Sequence, residues 1–565
     1  MSTTVSDSVI ATLGDLGVQR IYGIPGDAIN ALVESIRKQE RVQFVQVRHE
    51  ETGAFAAAAE AKLTGALGVC CGTAGPGAVH LLNGLYDAKM DHAPVLAITG
   101  QTERRHLGTL YHQEIDLYTL FKDVSVFNQV VVSAEQMPGL IARACQAALA
   151  HRGVAHLSIP ADVADQTATG PIGHSTVTAH SAETEPCDAE LREATELLDR
   201  AKRVVILAGA GCRGAEAPLL ALAERLGAPI IKALRGKDLF PDEHPHAIGG
   251  LGLLGTRPAV DAIADADAIL LAGTDFPYRD FLPDDTPAVQ IDIDPSRLGL
   301  RIPVEVALLG HAAPTLAALV ARVRAKEGRA FLEEHQKGMR AWFERMDKAE
   351  RSDDTPIRPQ RVARRIGELA ADDAVFACDT GAVTVWGARN LRLRGTQRFT
   401  LSSSLASMAY AMPAAIGAQL AYPGRQVIAL AGDGGLSMLL GDFLTAVKYA
   451  LPLTVVVFNN GKLGLIQMEQ EVSGHPEFQT HLQDLDYGAF ARLCGGDGWR
   501  VESPGELDDA LQAALSSPTP SIVDVRVNPE ERTMPPEIEL KQAVGYGVAK
   551  VRELLGQGDR GDPSL

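Results

Sequence analysis

Gly432-Asp433-Gly434, followed after 24 residues by Asn459-Asn460, places oxygen donors and a glycine bend at the two ends of one predicted helix. The flanking pattern reads as a strand over 426–430, a turn over 432–435, a helix over about 436–448 and a strand over 453–458. Both polar ends therefore meet at the carboxyl edge of one parallel sheet. Mg²⁺ takes near-octahedral oxygen, usually one or two protein ligands with phosphate oxygens beside them. Asp433 and Asn460 supply two such oxygens, and Lys462 on the same bend is grouped with them. Gly434 and Gly435, with Gly432 ahead of them, leave backbone N–H groups bare at a helix N-terminus. Unpaired donors and the helix dipole favour a diphosphate there. Taken alone, the pattern also fits an ordinary crossover with a tight turn and an Asn-rich loop.

A second constellation lies near the N-terminus. The stretch 45–54 reads as a strand ending in Glu50-Glu51, followed by an Ala-rich helix. Further on come Gly72-Thr73-Ala74-Gly75-Pro76-Gly77 and Asn83-Gly84-Leu85, each after a short apolar run. By itself Glu50 is equally a carboxylate placed for the helix macrodipole, the role expected of Glu51. From Tyr22-Gly23-Ile24-Pro25-Gly26 to Pro535-Pro536, in family order, these positions resemble the thiamine-diphosphate enzymes of the pyruvate oxidase and acetolactate synthase group. The chain is most similar to the pyruvate:quinone oxidoreductases.

That resemblance implies thiamine diphosphate and Mg²⁺, with Glu50 sharing a proton with the cofactor's pyrimidine nitrogen. It brings Gly26, Gly75 and Asn83 to the cofactor, and sets Gly381 and Met408 around the pyrimidine, Met408 as a wedge. A plain core methionine would also fit the run 407–413. Gln113 matches a substrate-contacting residue. His112 and Leu465 stand where relatives often carry Phe, and Glu469, after Leu465 on the same predicted helix, is grouped with them as a catalytic candidate. An imidazole at 112 could donate a proton to the reacting species, or be purely structural.

Gly209-Ala210-Gly211-Cys212-Arg213-Gly214 matches the dinucleotide fingerprint after a clean strand. The acid expected about 20 residues on, at the end of the next strand, is missing, because that strand runs into Leu234-Arg235-Gly236-Lys237. NAD is therefore disfavoured. The resemblance implies instead an extended FAD held by segments containing Arg235, Gly236, Gly252, Gly273, Thr274, Asp275, Asp292 and Asp294, together with Gly209 and Gly211. The alternative is a doubly wound domain that has lost its cofactor.

These residues need scaffolds at the carboxyl edges of parallel sheets. The chain has 565 residues, 46% apolar and 22% charged, which predicts several globular domains. Short apolar strands alternating with Ala-rich helices predict three doubly wound parallel-sheet α/β domains. The expected division is an N-terminal pyrimidine-binding domain over 1–170, a linker over 171–188, a central FAD-type domain over 189–335, a linker helix over 336–356, a diphosphate- and Mg²⁺-binding domain over 357–530, and a tail over 531–565. The charged stretch 327–351 reads as a solvated helix. First and third domains alternate alike, without a visible residue-level repeat.

A formal net charge of −18 argues against a nucleic-acid partner. Seven scattered cysteines without a CxxC suggest neither zinc nor a disulfide framework. No secretory signal and no apolar run of membrane-spanning length are read. In the tail, Leu540, Val544, Val548, Val551 and Leu555 recur at helical spacing, but Gly545 and Gly547 weaken the helix, and no basic face for a membrane is evident.

The expected enzyme is cytoplasmic, with at most peripheral contact with the inner face of the membrane. It would be a homodimer or homotetramer that decarboxylates a 2-oxo acid, pyruvate foremost, to acetate or an activated acetyl product. Electrons would pass through FAD to a quinone or oxygen. Rival readings are an acetolactate-synthase-type carboligase with structural FAD, and a catalytically silent scaffold.

Overall fold

The computed structural model describes residues 3–169 and 183–533, with 536, 546, 548–550 and 552 beyond them. Three parallel sheets organise the chain. The first contains β1 (Arg20–Gly23), β2 (Gln43–Gln46), β3 (Gly68–Gly72), β4 (Val95–Gln101), β5 (Ser125–Val130) and β6 (Val154–Pro160) in the order β2-β1-β3-β4-β6-β5. The second contains β7 (Val204–Ala208), β8 (Ile230–Lys232), β9 (Ala268–Ala272), β10 (Ala288–Asp292) and β11 (Val306–Leu309), ordered β11-β10-β9-β7-β8. The third contains β12 (Val375–Cys378), β13 (Arg398–Leu401), β14 (Val427–Gly432), β15 (Leu453–Asn459), β16 (Asp497–Val501) and β17 (Ser521–Arg526), ordered β13-β12-β14-β15-β17-β16. Renumbered from its own first strand, the third order repeats the first.

Central strands such as Val204–Ala208 and Val95–Gln101 are buried along their whole length. Their apolar runs serve both faces of a helix-covered sheet. The first and third domains join through two small-residue helices, Glu50–Thr64 and Ala411–Ala421, which share a core through Phe55, Ala59 and Leu63. The approach is close enough that a Cβ on Gly417 would lie 2.4 Å from the Ala56 carbonyl oxygen. Lys62 closes this junction, its ammonium bonding Asp87 (2.7 Å), Asp91 (2.8 Å) and the Leu401 carbonyl (3.0 Å). Burial works against every charge here, yet Lys62 and Arg235 hold the Asp91 carboxyl below its usual range.

Several predicted elements differ in detail. The helix expected over 436–448 is two short helices, Asp433–Met438 and Phe443–Lys448, separated by a tight turn at Leu440–Asp442. The break turns Asp442 toward the first domain, where its carboxylate accepts from Arg48 N–H (2.7 Å) and Thr52 Oγ1 (2.6 Å). The helix expected to be solvated runs Ala330–Glu350 and buries Phe331, Leu332, Met339 and Trp342 on one face. Glu350 is buried too, paired with Arg364 and Arg392. A helix beginning at Asp188 ends the Pro- and Thr-rich stretch, whose positions 171–182 lie outside the described residues.

Of the tail positions singled out, Leu540, Val544, Gly545, Gly547, Val551 and Leu555 also lie outside them, and Val548 is exposed. The cysteines are free thiols, five of them buried. No described helix is long and apolar enough to cross a membrane.

Candidate active site

An open parallel sheet places its ligand crevice at the carboxyl ends of strands where the strand order reverses. In the third sheet that point lies between β12 and β14. Gly381 follows β12 with φ +130°, a conformation that requires glycine, and the space beyond it is open. Asp433 starts its helix just after β14, and the Gly461 N–H donates to its Oδ2 (3.0 Å), tying the Asn460 loop to it. A cleft of about 870 Å³ collects Gly381, Met408, Gly432–Gly435, Asn460, Lys462 and Leu465.

Only 4% of Asp433 is exposed, and burial pushes its carboxyl up to about 6. A cation beside it would favour the ionised form, so Asp433 and Asn460 fit a hard divalent ion. The Lys462 ammonium is committed to Glu477 (3.4 Å) and Glu530 (3.2 Å). Any metal contact from Lys462 would therefore have to come from its backbone carbonyl. Beneath the turn, Asp379 is fully buried and burial lifts its carboxyl to about 7, against backbone donors that include Thr380 and Tyr410. Its Oδ2 has no hydrogen-bond partner among the described residues, and a Cβ on Gly435 would fall 2.0 Å from it.

The corresponding point of the first sheet lies between β1 and β3. Gly26 and Thr73 meet there so closely that a Cβ on Gly26 would lie 2.4 Å from the Thr73 Cβ. Glu50, 6% exposed, follows β2 as the first residue of its helix. His80 Nδ1 is 3.0 Å from Glu50 Oε2. His49 caps the helix by accepting the Glu51 N–H (3.2 Å) and stacks on His80 with ring centroids 4.3 Å apart. Burial raises the Cys71 thiol to about 12, and the Glu50 carboxylate adds to the effect. Asn83 Nδ2 donates to Glu51 Oε1 (2.7 Å) and to Ser407 Oγ (2.9 Å), joining this helix to the Met408 loop.

Gln113, at φ +62°, packs over Gly75, whose own φ is +65°. His112 is exposed beside it. Glu469 is exposed on the helix Gly464–Val472, and the third-domain cleft is lined without it. Among the described residues no first-domain side chain lines that cleft. One chain therefore holds Glu50 and Asp433 in separate places, and His112 likewise stands apart from Leu465.

The middle sheet reverses between β7 and β9. A cleft of about 1370 Å³ there is lined by Gly209, Gly211, Arg235, Gly273–Asp275, Asp292 and Asp294. The fingerprint glycines serve loop contact, since a Cβ on Gly209 would lie 2.5 Å from the Gly273 carbonyl oxygen. The following helix starts only at Glu216. Gly236 packs under the Ala208 carbonyl, and Gly252 (φ +90°) lies against Phe276 and Tyr278, so both flank the cleft without lining it.

Sequence reasoning missed His92, His151, Arg152, Arg297, His311, Ser403 and Ser404, which also line this cleft. Arg152, Arg235 and Arg297 suit a pyrophosphate. Asp292, raised by burial at the end of β10, can accept from a ribose hydroxyl. Burial, with Arg297 and Arg235 nearby, lowers His92 to about 4, leaving it neutral. No local pattern marks Arg152, which is itself the left-handed residue (φ +49°) that ends the helix Met137–His151. His80 had one signal, its place three residues past the Gly75-Pro76-Gly77 turn.

Three domain models match the chain. They are the N-terminal TPP binding domain of thiamine pyrophosphate enzymes over residues 3–120, the central domain over 191–319 and the C-terminal TPP binding domain over 379–525. A Bacillus subtilis (strain 168) protein named YdaP, described only provisionally as thiamine pyrophosphate-containing, is 46% identical over 564 residues, covering 100% of this chain and 98% of its own. Pyruvate oxidase of Lactiplantibacillus plantarum is 34% identical, over 94% of this chain and 89% of its own. An acetolactate synthase of Mycobacterium bovis is 31% identical over the same shares, 94% and 89%. The chain belongs to the thiamine pyrophosphate enzyme family.

Proposed function

We propose, from that membership and the two clefts, that this enzyme oxidatively decarboxylates a 2-oxo acid, pyruvate foremost, using thiamine diphosphate, Mg²⁺ and FAD, with a quinone or oxygen as final acceptor. The observation that carries the redox part is a single loop. Ser403 and Ser404 line the middle-domain cleft, while Ala406 and Met408 line the diphosphate cleft. One six-residue stretch, 403–408, thus reaches both proposed cofactor sites, which suits electron transfer between them.

Bound thiamine diphosphate would supply the carbon nucleophile and electron sink, and bound FAD would take up two electrons. The chain's own residues bind, orient and hold protons. Asp433, Asn460 and the Lys462 carbonyl would hold Mg²⁺, and the N–H groups at Gly434 and Gly435 the diphosphate. Met408 would press on the cofactor. Glu50 would hold a proton for the pyrimidine nitrogen, while Gln113 and Leu465 would border the substrate. Since among the described residues the diphosphate cleft takes no lining from the first domain of its own chain, Glu50 would serve the site of a second subunit. The enzyme would then be at least a homodimer.

The acetolactate synthase relative, 31% identical across 94% of the chain, favours one alternative, carboligation with a structural FAD. Anaerobic addition of pyruvate to the yellow enzyme tests the choice. The colour should bleach and return with quinone or air. Lasting colour together with acetolactate would establish the carboligase.

A further inference from the structure

The two carboxylate oxygens of Glu50 have different surroundings. Oε1 lies over Gly77, where a Cβ would approach it to 3.1 Å. Oε2 is 3.0 Å from His80 Nδ1, and His80 is the only side chain among the described residues that hydrogen-bonds Glu50. His80 is held in turn. Its ring stacks on His49 at 4.3 Å and 26°, and His49 is fixed as the helix cap by the Glu51 N–H. Helix cap, ring stack and carboxylate bond form one brace around the buried Glu50 side chain.

We propose that His80 is a positioning residue for Glu50: its ring, carrying a proton on Nδ1, donates to Oε2 and leaves Oε1 as the oxygen that faces the cofactor. This rests on the reading of Glu50 as the carboxyl that activates thiamine diphosphate. The bond does two things. It fixes which oxygen is presented, and it gives the buried carboxylate a donor that competes with no backbone group. A hydrogen bond to a charged group is stronger than one between neutral groups, so its loss should be visible in the step that Glu50 serves. Gly77 completes the arrangement by leaving room beside Oε1 for a ligand atom.

The test compares His80→Phe, which keeps a ring to stack on His49 but has no donor, with His80→Asn, which restores an N–H near the Nδ1 position without the ring. In enzyme loaded with thiamine diphosphate and Mg²⁺, exchange of the thiazolium C2 proton with deuterated water should slow roughly 10- to 100-fold in His80→Phe. It should recover to within a few-fold of wild type in His80→Asn, with KM for pyruvate little changed in either. In the apoprotein, ¹⁵N-histidine spectra should show one ring in the Nδ1–H tautomer, absent in His80→Asn and shifted to the other tautomer in Glu50→Met. Normal exchange in His80→Phe beside slowed exchange in Glu50→Gln would make His80 structural. Equal slowing by Phe and Asn would point to the ring and overturn the proposal as well. Normal exchange in Glu50→Gln itself would remove the underlying reading of Glu50, and the proposal with it.

Discussion

The first and third domains share one strand order, β2-β1-β3-β4-β6-β5 and its counterpart β13-β12-β14-β15-β17-β16, yet their matching loops hold different chemistry. The loop after β2 presents His49 and Glu50, while its counterpart after β13 presents Ser402–Ser404. The loop after β3 is Thr73-Ala74-Gly75 with no acid, while its counterpart after β14 begins with Asp433. A carboxylate thus stands on one loop in the first domain and on the neighbouring loop in the third. Topology decides where a crevice opens, and a few side chains decide what it can hold. In the proposed enzyme one crevice supplies a proton-sharing acid and the other a metal and helix-end anion site, so neither domain suffices alone.

The contrast can be broken most sharply at Glu50. Glu50→Gln should keep the fold and cofactor affinity while lowering turnover by roughly 10²–10⁴, the usual range for a positioned acid or base. Steady-state kinetics beside a thiamine diphosphate titration would show this. On the other side, Asp433→Ala and Asn460→Ala should weaken Mg²⁺ and thiamine diphosphate together by roughly 10- to 100-fold, the loss of one charge-assisted contact. Calorimetric titration giving unchanged affinity for both would refute their assignment as ligands.

A third difference lies directly after the first strand of each domain, where the first has Ile24 and the third Asp379. Burial raises the Asp379 carboxyl from 3.8 to about 7. Between those values the folded state binds the proton and the unfolded chain releases it. Stability from this group is therefore greatest at and below about pH 4, falls as pH rises to about 7, and stays level above. The melting temperature of the wild type should drop more between pH 5 and pH 8 than that of Asp379→Asn. Parallel slopes would show that Asp379 is ionised throughout.

The smallest effect is expected at the loop near the substrate. His112→Phe should change the ratio of oxidation to carboligation by a few-fold, read by product analysis, with little change in melting temperature because His112 is exposed.

Much of this was legible in the chain because the deciding contacts are local. The glycines after β7, β9, β12 and β14 and the donors at 433 and 460 follow strands within a few residues, so periodicity and turn chemistry locate them. What escaped was set by distant partners. The break at Leu440–Asp442 answers to Arg48 and Thr52, some 390 residues away in sequence. Arg152 and Ser403 reach the middle-domain cleft from the other two domains, and Glu350 is buried on a helix whose composition reads as solvated. His80 was hidden for a related reason. It meets Glu50 from 30 residues away, across a helix, a strand and the turns that follow them.

Whether the two domains supply unlike halves of one site across two subunits can be read by mixing two inactive variants. Glu50→Gln and Asp433→Ala subunits, unfolded together and reassembled at equal amounts, give mixed dimers in which one site carries both defects and the other carries neither. Random pairing of two-fold dimers should then restore about a quarter of wild-type turnover. If Glu50 and Asp433 of the same chain serve one site, every site in the mixture remains damaged, and the absence of any recovery would contradict a site shared across two subunits.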